Sequence, residues 1–206
     1  GYLKQQSGML NSTNPETKRI ILEQLFREKS NDYRVLAANT IKQMATSAKV
    51  TDRELAAEVI GELSSENFSG NIETLINDTS LSVKRVALIA ACKHKHEKLL
   101  PLVLQKLEMQ EERNIVLKGL QLYGDELFEA INRLEFSYRQ YDNELIRIAA
   151  RMKGPLSTKF LLSQLRENDV ILRQVKVVDA LWSKGFVPIE TPERRKMQDL
   201  LSAHLE

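Results

Sequence analysis

Apolar residues recur at three- and four-residue intervals along almost the whole chain, as in Ile20, Ile21, Leu25 and again in Val83, Val86, Ala87, Ala90. Side chains at that spacing share one face of a helix. No strict alternation lasts long enough for a strand, so the pattern predicts an all-α protein. Proline and glycine fall between the periodic runs, apart from Pro101 in a first turn and the isolated Gly61 and Gly119.

The boundaries carry chemical signatures. Asn14-Pro15-Glu16 and Thr191-Pro192-Glu193 each offer a capping side chain, then a proline where no amide hydrogen is needed. Thr51-Asp-Arg-Glu54 reads as a capping box. Gly124-Asp125 and Gly154-Pro155 each stop one helix and start the next, which folds neighbours back as hairpins. The predicted helices run from about Glu16 to Lys29, Asp32 to Ala48, Thr51 to Ser65, Asn71 to Asp78, Leu81 to Lys95 and Glu97 to Met109. Six more follow: Glu111 to Gly124, Asp125 to Tyr138, Asn143 to Gly154, Leu156 to Asn168, Asp169 to Gly185, and Glu193 to the end.

Composition narrows the classes. A chain of 206 residues with 42% hydrophobic residues can bury a real core. Thirty basic residues against twenty-eight acidic ones give a net charge of +2, far from the excess of a dedicated nucleic-acid binder. The single cysteine forms no internal disulfide, and no apolar run approaches the roughly 18 residues a bilayer crossing needs. These features predict a cytoplasmic domain. The start at Gly1 and the closing Leu205-Glu206 suggest a piece of a longer protein.

The predicted helices pair into a repeat. The openings "DYRVLAA", "SVKRVALIAA", "EERNIVLKGL", "NELIRIAA" and "DVILRQVKVV" each set polar residues and a basic one before an apolar run. Arg85, Arg113, Arg147 and Arg173 mark a unit of about thirty residues, as expected when each helical hairpin buries its apolar faces against the next. The openings "DTSLSVKRVALIAA" and "DYRVLAANTIKQMA" resemble the second helix of HEAT repeats, of the short bacterial type, and the resemblance covers about Thr17 to Gly185. It implies a right-handed α-α superhelix, a solenoid of about five to six helical hairpins. A leader would occupy residues 1–15, the repeats 16–185 and a capping helix 186–206. The segment Thr51 to Ser65 has no clean partner in this register.

Charge separates the two sets of helices. From Leu81 onward the second helices carry twelve Lys or Arg against five Asp or Glu, net +7, and their partner first helices are net −4. In HEAT-like solenoids the second helices line the concave surface. The resemblance thus implies a basic inner groove with Lys84, Lys93, Lys118, Arg147, Arg151, Arg173 and Lys176 as candidate binding residues. Such a groove attracts anions, from acidic peptides to phosphate backbones.

Other candidates carry less. In "ACKHKH", Cys92 and His96 would share a helical face while His94 points away, and His204 lies in a different helix, so no metal site is expected. Phe136, Tyr138 and Tyr141 are expected to pack between repeats. Trp182 sits with Val175, Val178 and Leu181 at core spacing and is expected to cover the final repeat. No nucleophile elbow, zinc-protease helix, phosphate loop or dinucleotide fingerprint is present.

These readings predict a noncatalytic scaffold for a protein or peptide partner, with an acidic partner suiting the groove, and without cofactor or metal. The resemblance also suggests a more specific setting, a cytoplasmic regulatory domain of a bacterial nucleotide-transporter-like membrane protein. The rival readings are nucleic-acid binding through the basic groove and, further off, a DNA glycosylase using Asp179 and Trp182.

Overall fold

The computed structural model describes residues 10, 14–63, 65–134, 138–165, 171–186, 195 and 199. Among them are eleven α-helices of defined extent and no strand. The helix start at Thr191-Pro192-Glu193, Phe136 and His204 lie outside the described residues. The chain divides into two compact units, Gly1–Leu122 and Tyr123–Glu206.

The first unit contains α1 (Pro15–Arg27), α2 (Asn31–Ala45), α3 (Val50–Leu63), α4 (Ser69–Ile76), α5 (Leu81–Lys93), α6 (Leu100–Gln105) and nearly all of α7 (Gln110–Tyr123). Asn14 caps α1 as its sequence predicts, its Oδ1 accepting from the amides of Glu16 at 3.0 Å and Thr17 at 3.3 Å, with Pro15 in the first turn. The predicted capping box does not start its helix. α3 starts at Val50, so Thr51 is already inside it, and in the turn before it Ser47 Oγ accepts the Lys49 amide and donates to the Asp52 side chain of the first turn. The segment Glu97 to Met109 is not one helix. Pro101 supplies no amide hydrogen near the start, and 3-10 turns at Glu97–Leu99 and Lys106–Glu108 flank a short α6.

Packing in this unit follows an alternating order. α1 contacts α2 and α3, α2 contacts α3 and α4, and α3 contacts α4 and α5. α3, which lies in the stretch without a clean partner in the sequence pattern, is therefore the centre of the unit. The reason is side-chain size. Leu55, Ala56, Ala57, Val59 and Ile60 are all buried, so α3 meets neighbours on several sides and shows little one-sided periodicity. Gly61 lies at the closest approach, where an added Cβ would stand 3.0 Å from that of Ala90 on α5. α2 falls in the row of α4, so the opening at Asp32-Tyr33-Arg34 belongs to the other row than α5.

The second unit contains α8 (Leu127–Arg133), α9 (Asp142–Arg151), α10 (Pro155–Ser163) and α11 (Ile171–Ser183). α10 contacts α8, α9 and α11, and α9 contacts α11. Its core is built on Phe128 and Phe160, whose ring centroids are 4.6 Å apart, with Leu145, Ile148, Val177 and Leu181. The turn between α9 and α10 needs Gly154: its φ is +154°, and a side chain there would collide with the Asp125 carboxylate. Tyr141 is buried, in keeping with the packing role expected of it. Trp182 is not. It is 71% exposed while Val178 and Leu181 are buried, because core spacing on α11 continues one position past the face that actually packs.

Candidate functional site

The recurring feature of geometry along the helices is a cation near the start of a helix tied to an acid in the neighbouring one. Arg53 on α3 reaches Asp78 before α5, with Nε to Oδ2 at 2.6 Å and Nη2 to Oδ1 at 2.9 Å. Lys84 on α5 reaches the buried Glu112 on α7 at 2.7 Å. Arg173 on α11 reaches Asp142 on α9 at 2.8 Å and the side chain of Gln164 at 2.7 Å. Arg113 occupies the like position of α7 and donates to the Leu107 carbonyl at 2.8 Å. These pairs join loops and helix starts about one repeat apart.

That use redistributes the seven predicted groove residues. Lys84 and Arg173 are part-buried structural partners, and Lys93 is paired with Glu62 at 2.7 Å. Lys118 is exposed on α7. In the second unit Arg147 and Arg151 stand exposed one turn apart on α9, with no side-chain pair to any described residue. Lys176 on the adjoining α11 is exposed and comes within 3.4 Å of Asn143. The structure therefore brings Arg147, Arg151 and Lys176 onto neighbouring strips of the second unit and leaves Lys84 and Lys93 at opposite ends of α5.

A cleft of about 380 Å³ opens on the first unit across α1, α3 and α5, a size in the range of ligand sites. Its floor is Ala57 and Gly61 of α3 with Val86, Ile89 and Ala90 of α5. Small residues draw the two helices together there and leave no side chain to fill the space above. Five charged residues form the rim: Glu16, Arg19, Glu58, Glu62 and Lys93. Arg19 is held between Glu16 at 2.5 Å and Glu23 at 3.1 Å. Glu58 is exposed, and its carboxylate makes no hydrogen bond to a described residue. Partial desolvation pushes its carboxyl above the usual range, with the Glu54 charge adding to the effect. No motif announces this cleft. The only signal in the sequence is the run of Ala and Gly in a helix with several buried faces.

The histidine stretch takes a different geometry from the helical one expected. α5 ends at Lys93, and Lys95 adopts a left-handed turn at φ +54°. The rings of His94 and His96 then lie edge to face, 6.3 Å apart, and burial holds both below the usual histidine range. Cys92 is buried, and desolvation pushes its thiol up to about 12. Among the described residues no three His, Cys, Asp or Glu side chains gather as metal ligands.

Lys184, Ser157 and Asp125 form a polar knot invisible in the sequence. Lys184 Nζ donates to the carbonyls of Ala149 and Met152 and, at 2.9 Å, to Ser157 Oγ. Burial pulls the Lys184 ammonium down, while the Asp125 charge opposes that shift. Asp125 accepts the amides of Leu156 at 2.8 Å and Ser157 at 2.7 Å. Burial works to raise its carboxyl, but bonds from Ser157 and Leu156 hold it below the usual range. A serine beside a lysine suggests an activated nucleophile, yet Ser157 is fully buried and its hydroxyl donates to the Gly154 carbonyl at 3.1 Å. The knot ends α9 and begins α10. No helix among the described residues is long and apolar enough to cross a membrane. No family model and no curated protein matches the chain.

Proposed function

We propose that this chain is a noncatalytic HEAT-like scaffold, a right-handed α-α superhelix, that binds a segment of another protein on its helical surface. The observation that carries this reading is the open cleft across α1, α3 and α5, a concave site whose floor is apolar side chains and glycine rather than reactive groups. Helices that contact the next but one, with cross-helix pairs about a repeat apart, support the solenoid reading. The cytoplasmic regulatory domain of a bacterial nucleotide-transporter-like membrane protein is the setting we propose for it. Selection of displayed random peptides against the protein tests the function. Enriched peptides that bind as isolated synthetic segments support it, and no enrichment above an unrelated helical protein counts against it.

A second reading, nucleic-acid binding, is favoured by one feature: Arg147 and Arg151 are exposed and without a side-chain pair among the described residues, with Lys176 on the adjoining strip. Charge reversal of both arginines would then weaken DNA or RNA binding and flatten its salt dependence. Unchanged affinity in the double variant removes that reading.

A further inference from the structure

The charges on the rim of the α1–α3–α5 cleft are not balanced within it. Both cations are already matched: Arg19 by Glu16 and Glu23, and Lys93 by Glu62. An incoming anion would have to displace a carboxylate from one of them. Glu58 is in the opposite condition. It lines the cleft, its carboxylate makes no hydrogen bond to a described residue, and it has Glu54 and Glu16 as charged neighbours along with Arg19. The three lining carboxylates outnumber the two lining cations.

The floor has a second requirement. Val86 and Ile89 are half-buried, and Ala57 and Ala90 are buried, so the space beneath the charged rim is apolar. A ligand that satisfies both parts has a hydrocarbon stem and a positive head, the build of lysine and arginine side chains.

We propose that this cleft receives a lysine or arginine side chain from a bound protein segment, its stem on Val86, Ile89 and Ala90 and its charged head at Glu58. The inference rests on the scaffold reading above and gives it a recognition chemistry. It also reverses, for the first unit, the charge preference that the count of basic residues suggests. The segment would be basic where it enters this cleft, whatever the arginines of the second unit attract.

The test uses N-acetyl-lysine methylamide as probe, followed by amide chemical shifts of the isotopically labelled full chain. Its norleucine and glutamate counterparts serve as apolar and anionic controls. We expect saturable shifts confined to the neighbourhood of Ala57, Gly61 and Ala90 with the lysine probe alone. Glu58→Gln should weaken that binding about fivefold, the ratio a partly exposed ion pair gives. Glu58 is exposed, so this variant keeps the fold, which its own spectrum verifies. Equal response to norleucine, stronger response to the glutamate probe, indifference to Glu58→Gln, or no shift at all would each overturn the proposal. Selected peptides that still bind while the lysine probe fails would sink the cleft assignment and leave the scaffold standing. Failure of every peptide would sink the scaffold reading itself.

Discussion

Arg53 grips Asp78 across 25 residues with two hydrogen bonds, and the same guanidinium donates to the carbonyls of Ser47 and Ala48. One side chain thus fastens the α2–α3 connection to the α4–α5 connection, while Asp78 also accepts the Ser80 amide at 2.8 Å. The bond from Arg53 holds the Asp78 carboxyl below the usual aspartate range. A carboxylate lowered in the folded state stabilises fully above its unfolded value, near 3.9, and loses that contribution as pH falls through its folded value. Arg53→Met should therefore lower thermal stability near neutral pH more than Arg133→Met, which removes an exposed pair. The deficit should shrink as pH drops below about 3.9. A deficit independent of pH, followed by thermal unfolding, would contradict this role.

Glu112 is 4% exposed and depends on Lys84, with Lys106 at 3.9 Å as a more distant cation. Removing Lys84 leaves a buried carboxylate poorly compensated, and Lys84→Met should cost about 3 kcal/mol in urea unfolding, the low end for a broken buried pair because Lys106 remains nearby. The double variant Lys84→Met with Glu112→Leu should recover most of that loss. Additive losses in the double-mutant cycle would show that the pair is not coupled.

Gly154 combines a positive φ with the Asp125 carboxylate where a side chain would stand. Gly154→Ala should destabilise by more than about 1 kcal/mol, the ordinary scale of such backbone effects. Asp125→Ala, which frees the amides of Leu156 and Ser157, should cost about 1–2 kcal/mol. Calorimetric midpoints within error of wild type for both would refute the account of this turn.

Trp182 and Leu181 are adjacent and opposite in fate, one 71% exposed and the other fully buried. Leu181→Ala should cost about 2–5 kcal/mol, whereas Trp182→Ala should stay within about 0.5 kcal/mol. A large loss from the tryptophan in chemical denaturation would show that it covers the core after all.

With its thiol pushed up to about 12, buried Cys92 should resist alkylation by iodoacetamide near pH 8, at about the free-thiol value, until denaturant unfolds the chain. Labelling of the folded protein at the rate of a small free thiol, read by mass spectrometry, would contradict the burial described for α5.

The helices themselves are legible because their signals are local. Asn14-Pro15 caps as its chemistry dictates, and the periodic runs at Ile20 and Val83 lie in α1 and α5. What escapes is set by partners distant in the chain. Ala56, Ala57 and Gly61 make α3 central by being small, which a search for one apolar face discounts. Lys84 and Arg173 read as ligand-binding charges until Glu112 and Asp142 are found beside them. Arg85 and Arg147, which mark the period in sequence, are exposed, while the positions that recur in structure belong to Arg53, Lys84, Arg113 and Arg173. Trp182 shows the converse failure, since correct core spacing does not guarantee a neighbour.

Whether the surface reads protein or phosphate is decided by one titration. A selected peptide, duplex DNA, single-stranded RNA and polyglutamate are each followed by anisotropy at about 50 and 200 mM salt, a range over which phosphate-driven binding collapses. A protein-binding scaffold gives specific peptide binding that survives the change, with nucleic acids no better bound than polyglutamate. Submicromolar binding of DNA or RNA that falls steeply with salt, without comparable peptide binding, would contradict it.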